Sequence, residues 1–262
     1  MDVLLLVLVG AVAGMLAGLF GIGGGVVIVP VLAFVFEHQG VAGDALMHCA
    51  IGTSLATIAF TAMSSVRAHH ARGSIRWPVF RQLAPGIVVG AAGGAGVAHG
   101  LASETLEVLF GLFLLFVAFQ MMIPPPAAAG QRQPPATAWM LLAGLGIGAL
   151  SSLFGIGGGA ISVPFLTWCG LPPVQAVATA AAIGLPIALA GTAGYIVTGL
   201  QAPALPPWSL GYVVFPAFAG IVAASMLFAP LGARLAHRLK PLVLRRAFGA
   251  LLALFGIRML LG

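Results

Sequence analysis

Apolar runs set off by short polar or glycine-rich stretches organise the chain. Val3 to Phe20 is apolar, Gly21 to Gly25 interrupts it, and Val26 to Phe36 resumes it. A polar connector holding Glu37, His38 and Asp44 leads to the apolar segments Leu46 to Val66, Leu83 to Ala98 and Leu106 to Ile123. The pattern then repeats. Ala136 to Leu153 runs into the break Gly155 to Gly159 and Ala160 to Trp168 follows it; Val174 to Thr198, Leu210 to Ala229 and Leu242 to Leu261 complete the chain. Several runs of 18 or more residues are uncharged, enough to cross about 30 Å of hydrocarbon. Three full-length transmembrane helices are predicted in each half.

The repetition reaches the level of residues. LFGIGGGVVIVPVL, Leu19 to Leu32, recurs as LFGIGGGAISVPFL, Leu153 to Leu166, with ten of fourteen positions identical at an offset of 134. Ala50-Ile-Gly-Thr-Ser54 matches Ala176-Val-Ala-Thr-Ala180, Gly73 matches Gly199, and Phe110-Gly111 matches Phe248-Gly249. This is an internal duplication, with a first repeat over 1–123, a Pro- and Ala-rich linker over 124–135, and a second repeat over 136–262, all within one integral transmembrane domain. Before each break lies a stripe of small residues, Gly10, Gly14, Gly18 and Gly144, Gly148, Ser152. Spacing of four puts each stripe on one helix face, where it allows close helix packing.

Charge sets the relation between the halves. Arg67, Arg72, Arg76 and Arg81 follow the second segment of half one, whereas the equivalent stretch of half two, Gly199 to Trp208, has no Lys or Arg. Arg234, Arg238, Lys240, Arg245 and Arg246 fill the next loop of half two, and its counterpart around His99 to Thr105 has none. With both basic loops cytoplasmic, equivalent loops face opposite sides and the repeats are inverted. Eight simple crossings would separate the two basic loops, so each glycine-broken unit must cross an even number of times. Val26 to Phe36 has eleven residues, about 16 Å of helix, too short for an ordinary span. A re-entrant or discontinuous helix is therefore expected in each half, with both termini outside.

Composition fixes the class. Of 262 residues 61% are hydrophobic and 6% charged, and the mean hydropathy is +1.14, which excludes a soluble domain. The expectation is an all-α polytopic membrane protein. The net charge of +6 does not call for a nucleic-acid partner, because nine of eleven basic residues fall in the two loops. The first segment lacks a positively charged leader and a cleavage site, so no cleaved signal peptide is expected. Cys49 and Cys169 sit in different halves and suggest neither a disulfide framework nor a metal site. All five carboxylates are in half one and none lies deep in a span, so no buried carboxylate proton relay is expected. There is no Gly-Lys-Ser/Thr phosphate loop, no HExxH and no Ser–His pair with an orienting acid. Neither an enzyme nor a bound cofactor is indicated.

The breaks carry the candidate chemistry. Non-helical backbone survives in hydrocarbon only where protein or a water-filled cavity covers it. The short segment after each break begins with unpaired amides and a positive helix end of roughly +0.5 charge. Two such ends brought together by inverted symmetry form an anion site near the midplane; alternatively, the glycines only allow packing at a bend. Thr53, Ser54 and Thr179 lie beside the breaks, with hydroxyls that either donate to an oxyanion or bond back to a carbonyl one turn earlier. His48 fits an interfacial role or a ligand contact. His69 is either a titratable gate or a mark of the cytoplasmic boundary.

The paired LFGIGGG…VP motifs, Ala50-Ile-Gly-Thr-Ser54 and the stretch His69-His-Ala-Arg-Gly-Ser-Ile-Arg-Trp77 resemble the sulfite exporter TauE/SafE family, also called TSUP transporters, over essentially the whole chain. The resemblance implies a multi-pass carrier in the bacterial cytoplasmic (inner) membrane, exporting small sulfur-containing oxyanions such as sulfite, thiosulfate or organosulfonates. An anion channel or facilitator is the alternative. The candidate substrate-binding residues are Gly21, Gly23, Gly24 and Gly25, then Gly155, Gly157, Gly158 and Gly159, with Thr53, Ser54, Thr179, His48 and His69. Half two carries Ala180 where Ser54 stands and Tyr195 where His69 stands, so hydroxyl or imidazole contacts would be asymmetric. The partners implied are a small anionic substrate and the bilayer, and a homo-oligomer is compatible with both.

Overall fold

A computed structural model describes residues 10–12, 15, 25–41, 43–122, 136–203, 205–236 and 241–261, with backbone alone over 229–236 and 241–245. Gly21, Gly23, Gly24, the linker 124–135, Arg238 and Lys240 lie outside the described residues. The helices are α1 (Gly25–His38), α2 (Gly43–Ala71), α3 (Trp77–His99), α4 (Ser103–Met122), α5 (Thr137–Leu153), α6 (Gly159–Trp168), α7 (Pro173–Gly199), α8 (Phe215–Ala236) and α9 (Pro241–Leu261). Three of them, α2, α4 and α7, are long and apolar enough to cross a membrane. Exposed Val89, Phe116, Phe119, Leu142, Leu189 and Val197 turn outward from the bundle, as lipid contact requires. The protein is a helical, multi-pass membrane protein.

α2 and α7 form the centre. Almost every residue of α2 from Met47 to Ala59 is buried, so this helix touches protein on all sides. The two helices run antiparallel. A Cβ on Gly52 would lie 3.2 Å from that of Tyr195, and one on Gly191 would lie 2.9 Å from the Leu55 side chain. α4 and α9 are antiparallel as well: a Cβ on Gly111 would come within 3.1 Å of the Gly256 carbonyl, and one on Gly249 within 3.2 Å of the Ala118 carbonyl.

Small residues close the remaining seams. Gly86, Gly90 and Gly94 of α3 face the carbonyls of Leu141, Leu145 and Ala149 of α5, at a constant offset of 55, so these helices run parallel. Gly144 and Gly148 answer from α5 against the carbonyls of Leu83 and Ile87. A Cβ on Gly10, the first residue of the other stripe, would lie 2.8 Å from Ile221 and Ala224 of α8. Apolar tails outside the bundle remove the hydrophobic drive between helices, so association here rests on this close backbone approach.

Two sequence expectations need correction. The segment Leu210 to Ala229 is not helical from its start. Trp208 and Gly211 adopt positive φ, 63° and 55°, and turn the chain into a short antiparallel hairpin, β1 (Ser209–Leu210) and β2 (Val213–Val214). The helix begins at Phe215. Leu46 to Val66 also proves too short an estimate, because α2 continues through the basic residues to Ala71, taking His69 and His70 into its last turn.

Gly90→Val should therefore cost about 1–3 kcal/mol or more of stability by overpacking and lower the melting temperature markedly. Gly93→Ala, at a glycine with open space around it, should leave it unchanged or raise it. Thermal unfolding in detergent with size-exclusion profiles makes the comparison.

Candidate functional site

The second break is a complete helix stop followed by a helix start. Ile156 donates to the Ser151 carbonyl at 2.9 Å and Gly155 to that of Ser152 at 3.3 Å. With Gly155 at φ 63°, this is a Schellman closure of α5, which needs a residue tolerating the left-handed region. Gly158, at φ 76°, caps α6, and its carbonyl accepts from Ile161 and Ser162. Among the described residues, the amides of Gly157, Gly158, Gly159 and Ala160 have no backbone carbonyl partner. The carbonyls of Ser151 and Ser152 are used; among the described residues, the amides that open α6 meet no backbone carbonyl.

The first break meets the second. A Cβ on Gly25, at the start of α1, would lie 2.6 Å from the Gly155 carbonyl and 3.0 Å from Cα of Ile156. The contact lies beside the middle of both long helices. Gly155 faces Ile51 of α2, Gly25 faces Ile58, Gly158 faces Ile183 and Ile187 of α7, and Gly184 approaches the Gly157 carbonyl. Aliphatic side chains thus cover the glycine surfaces.

The hydroxyls predicted around the breaks divide by role. Ser54 donates to the Gly155 carbonyl at 2.8 Å, so its proton fixes the break. Thr53 Oγ1 accepts the amide of Val214 at 3.0 Å and Thr179 Oγ1 accepts the amide of Arg76 at 3.1 Å. A hydroxyl that accepts keeps its proton to donate elsewhere. The two contacts are counterparts: each threonine sits at the same repeat position, and each holds the loop that follows the other half's long helix.

The histidines stand away from this point. His48 is buried, with Nε2 2.9 Å from the Ala98 carbonyl and Nδ1 3.1 Å from that of Asp44. Its ring stacks on Tyr212 at 4.9 Å, and the Tyr212 hydroxyl lies 3.1 Å from His99 Nδ1. Burial pushes the Tyr212 phenol up, keeping it neutral in this contact. His69 is half-buried at the far end of α2, fifteen residues from Ser54 and so about 22 Å along the helix. The structure brings together Gly25, Gly155, Gly157, Gly158, Gly159 and Ser54, with Thr53 next to Ser54. It does not bring in His69.

Sequence reasoning missed other polar atoms. The hydroxyls of Ser151, Ser152, Ser162, Thr192 and Tyr195 are buried without a hydrogen-bond partner. Serines beside a glycine run in an otherwise apolar stretch were the available signal.

The family described as "Sulfite exporter TauE/SafE" matches residues 6–259. The chain belongs to the TauE/SafE family. Its relatives include a probable membrane transporter protein of Haemophilus influenzae, 37% identical over 99% of this chain and 98% of the relative. Another, from Methanocaldococcus jannaschii, is 29% identical over 98% of this chain and 95% of the relative. A third, from Bacillus subtilis, is 31% identical over 79% and 84%. No solved structure gives a significant match. Among the described residues of this TauE/SafE chain, the glycine motifs are one of the places where the two halves meet, together with the contact of α2 with α7.

Ser54→Ala should cost about 1–3 kcal/mol by orphaning a buried carbonyl, and Ser54→Thr should retain most of that stability. Equal melting temperatures for wild type and Ser54→Ala would remove the hydroxyl from the support of the break.

Proposed function

We propose that the protein is a secondary transporter exporting small sulfur-containing oxyanions, such as sulfite, thiosulfate or an organosulfonate, across the bacterial cytoplasmic membrane. The observation that carries this is the meeting of Gly25 with Gly155 and Ile156 at the end of α6 whose amides lack carbonyl partners. Backbone amides at a helix N-terminus are a ready anion site. The proposed contacts are the amides of both glycine breaks with the free hydroxyl protons of Thr53 and Thr179. Gly21, Gly23 and Gly24 would complete the set from half one. Ser54 orients the break, while His48 and His69 belong to the ends of α2.

Three symmetric contacts support inverted repeats within one transmembrane unit. Equivalent helices α2 and α7 meet antiparallel through Gly52 and Gly191, α4 and α9 through the matched Gly111 and Gly249, and Thr53 and Thr179 hold opposite loops. α5 and α6 act as the broken unit that runs in and returns before α7. The loop 72–76 lies on the basic side and the hairpin on the other, so each threonine latches one gate. Both latches are closed, and Ile58 and Ile187 cover the glycines, which favours alternating exposure over an open channel. Membrane potential drives the export: a monovalent anion gains ~2.3 kcal/mol per 100 mV on leaving a negative interior.

Proteoliposomes loaded in separate assays with sulfite, thiosulfate and methanesulfonate should show saturable efflux of at least one of them, at least tenfold slower in Gly24→Leu and Gly158→Leu proteins of unchanged size-exclusion profile. Undiminished transport in both variants removes the breaks from the mechanism. In a background of Cys49→Ala and Cys169→Ala, oxidising Thr53→Cys with Val214→Cys should arrest transport, and reduction should return it to the rate of the protein carrying Thr53→Cys alone. Continued flux through the cross-linked protein would show that the hairpin is no gate.

A further inference from the structure

We infer that the oxyanion site draws its side-chain donors unequally from the two halves, with Ser152 and Ser162 binding the substrate's oxygens and selecting a singly charged oxyanion. This rests on the reading that the glycine breaks bind an anion. Both serines are fully buried, and neither hydroxyl has a hydrogen-bond partner. A hydroxyl withdrawn from water without a partner is destabilising, and the bilayer offers none.

Their placement points to one location. Ser162 Oγ lies 3.4 Å from where a Cβ would stand on Gly158, beside Ile187 and Ile183 of α7. Ser152 Oγ lies 3.0 Å from the corresponding point on Gly191. Ile187 and Gly191 are four residues apart on α7, so the two hydroxyls front one stripe about one helical turn apart. Between them in the chain lie Gly157, Gly158, Gly159 and Ala160, whose amides have no carbonyl partner among the described residues. A polyatomic oxyanion presents several acceptor oxygens to such a set; a monatomic halide does not.

Half one has no equivalent side chains. At the offset of 134, Ser152 corresponds to Gly18 (152 − 134 = 18) and Ser162 to Ile28 (162 − 134 = 28). The hydroxyls of Ser152 and Ser162 thus come from the second half alone, and the donor set is unequal even with the paired threonines Thr53 and Thr179 included.

The charge follows from the same residues. Among the described residues no Lys, Arg, Asp or Glu is buried. The donors are neutral amides and hydroxyls, helped by a partial helix-end charge. Neutral donors hold one desolvated negative charge far better than two. The class selected is a monoanion such as an organosulfonate or hydrogen sulfite, and tetrahedral dianions such as sulfate and thiosulfate are disfavoured, which narrows the substrates proposed above to the first two.

Binding to the purified full-length protein in detergent, by isothermal titration, tests this with methanesulfonate as the monoanion, sulfate as the dianion and chloride as the halide. Wild type should bind methanesulfonate at least tenfold more tightly than sulfate or chloride. Ser152→Ala and Ser162→Ala should each weaken methanesulfonate binding roughly tenfold or more, as loss of a hydrogen bond to a charged group does. Ser162→Thr, which keeps the hydroxyl, should retain the affinity. Ser225→Ala, removing a buried unpartnered hydroxyl on α8, should bind as wild type does. If wild type binds methanesulfonate and both alanine variants match it, the serine assignment is overturned while the glycine site stands. Sulfate binding as tight as methanesulfonate overturns the charge selection. A wild type that binds none of the three sinks the underlying anion site as well.

Discussion

An interrupted helix inside hydrocarbon must find a partner for every backbone group that it frees, because no water is there to serve. That requirement shapes the centre of this protein. The carbonyls of Ser151 and Ser152, released where α5 stops, are met by Ile156 and Gly155, and the carbonyl of Gly155 is met by Ser54 from the other half. Among the described residues, the amides of Gly157, Gly158, Gly159 and Ala160 at the start of α6 have no backbone carbonyl partner, and a negative guest is the one we propose for them.

Holding such a centre together needs close packing without a solvent to enforce it. The bundle achieves this by removing side chains along helix seams. Gly86, Gly90 and Gly94 let the backbone of α5 approach α3 directly, and Gly144 and Gly148 return the approach. The outward faces keep large apolar residues such as Phe116 and Trp139. Along these seams small residues face the neighbouring helix, while large side chains such as Phe36, Phe110 and Tyr195 fill the interior elsewhere.

Much of this was legible in the sequence because it is periodic or repeated. The spans α2, α4 and α7 and the end of α5 at Leu153 follow from uncharged runs and from glycine, whose local preference needs no tertiary context. The glycine stripe of α5 was equally plain, though its partner on α3 was not, since spacing marks a face without naming its neighbour. What stayed hidden depends on distant contacts. The hairpin at Ser209–Val214 interrupts an apolar run and is held by Thr53, so hydropathy alone extends the helix through it. The basic stretch after Val66 suggested a helix end, yet a helix tolerates charged residues once it has left the apolar layer. The unpartnered serines gave only the faint signal of hydroxyls in an apolar setting.

The bonds between the halves also impose an order in time. Thr53 waits for Val214, 161 residues further along, and Ser54 waits for Gly155, 101 residues on. At about 5–20 residues per second of synthesis, the first interval corresponds to roughly 8–32 s. Throughout it the nascent first half lies in the bilayer with its central polar groups unmatched. Whatever shelters that half in the meantime, whether the insertion machinery or a provisional pairing within itself, must let go before the native bundle can close.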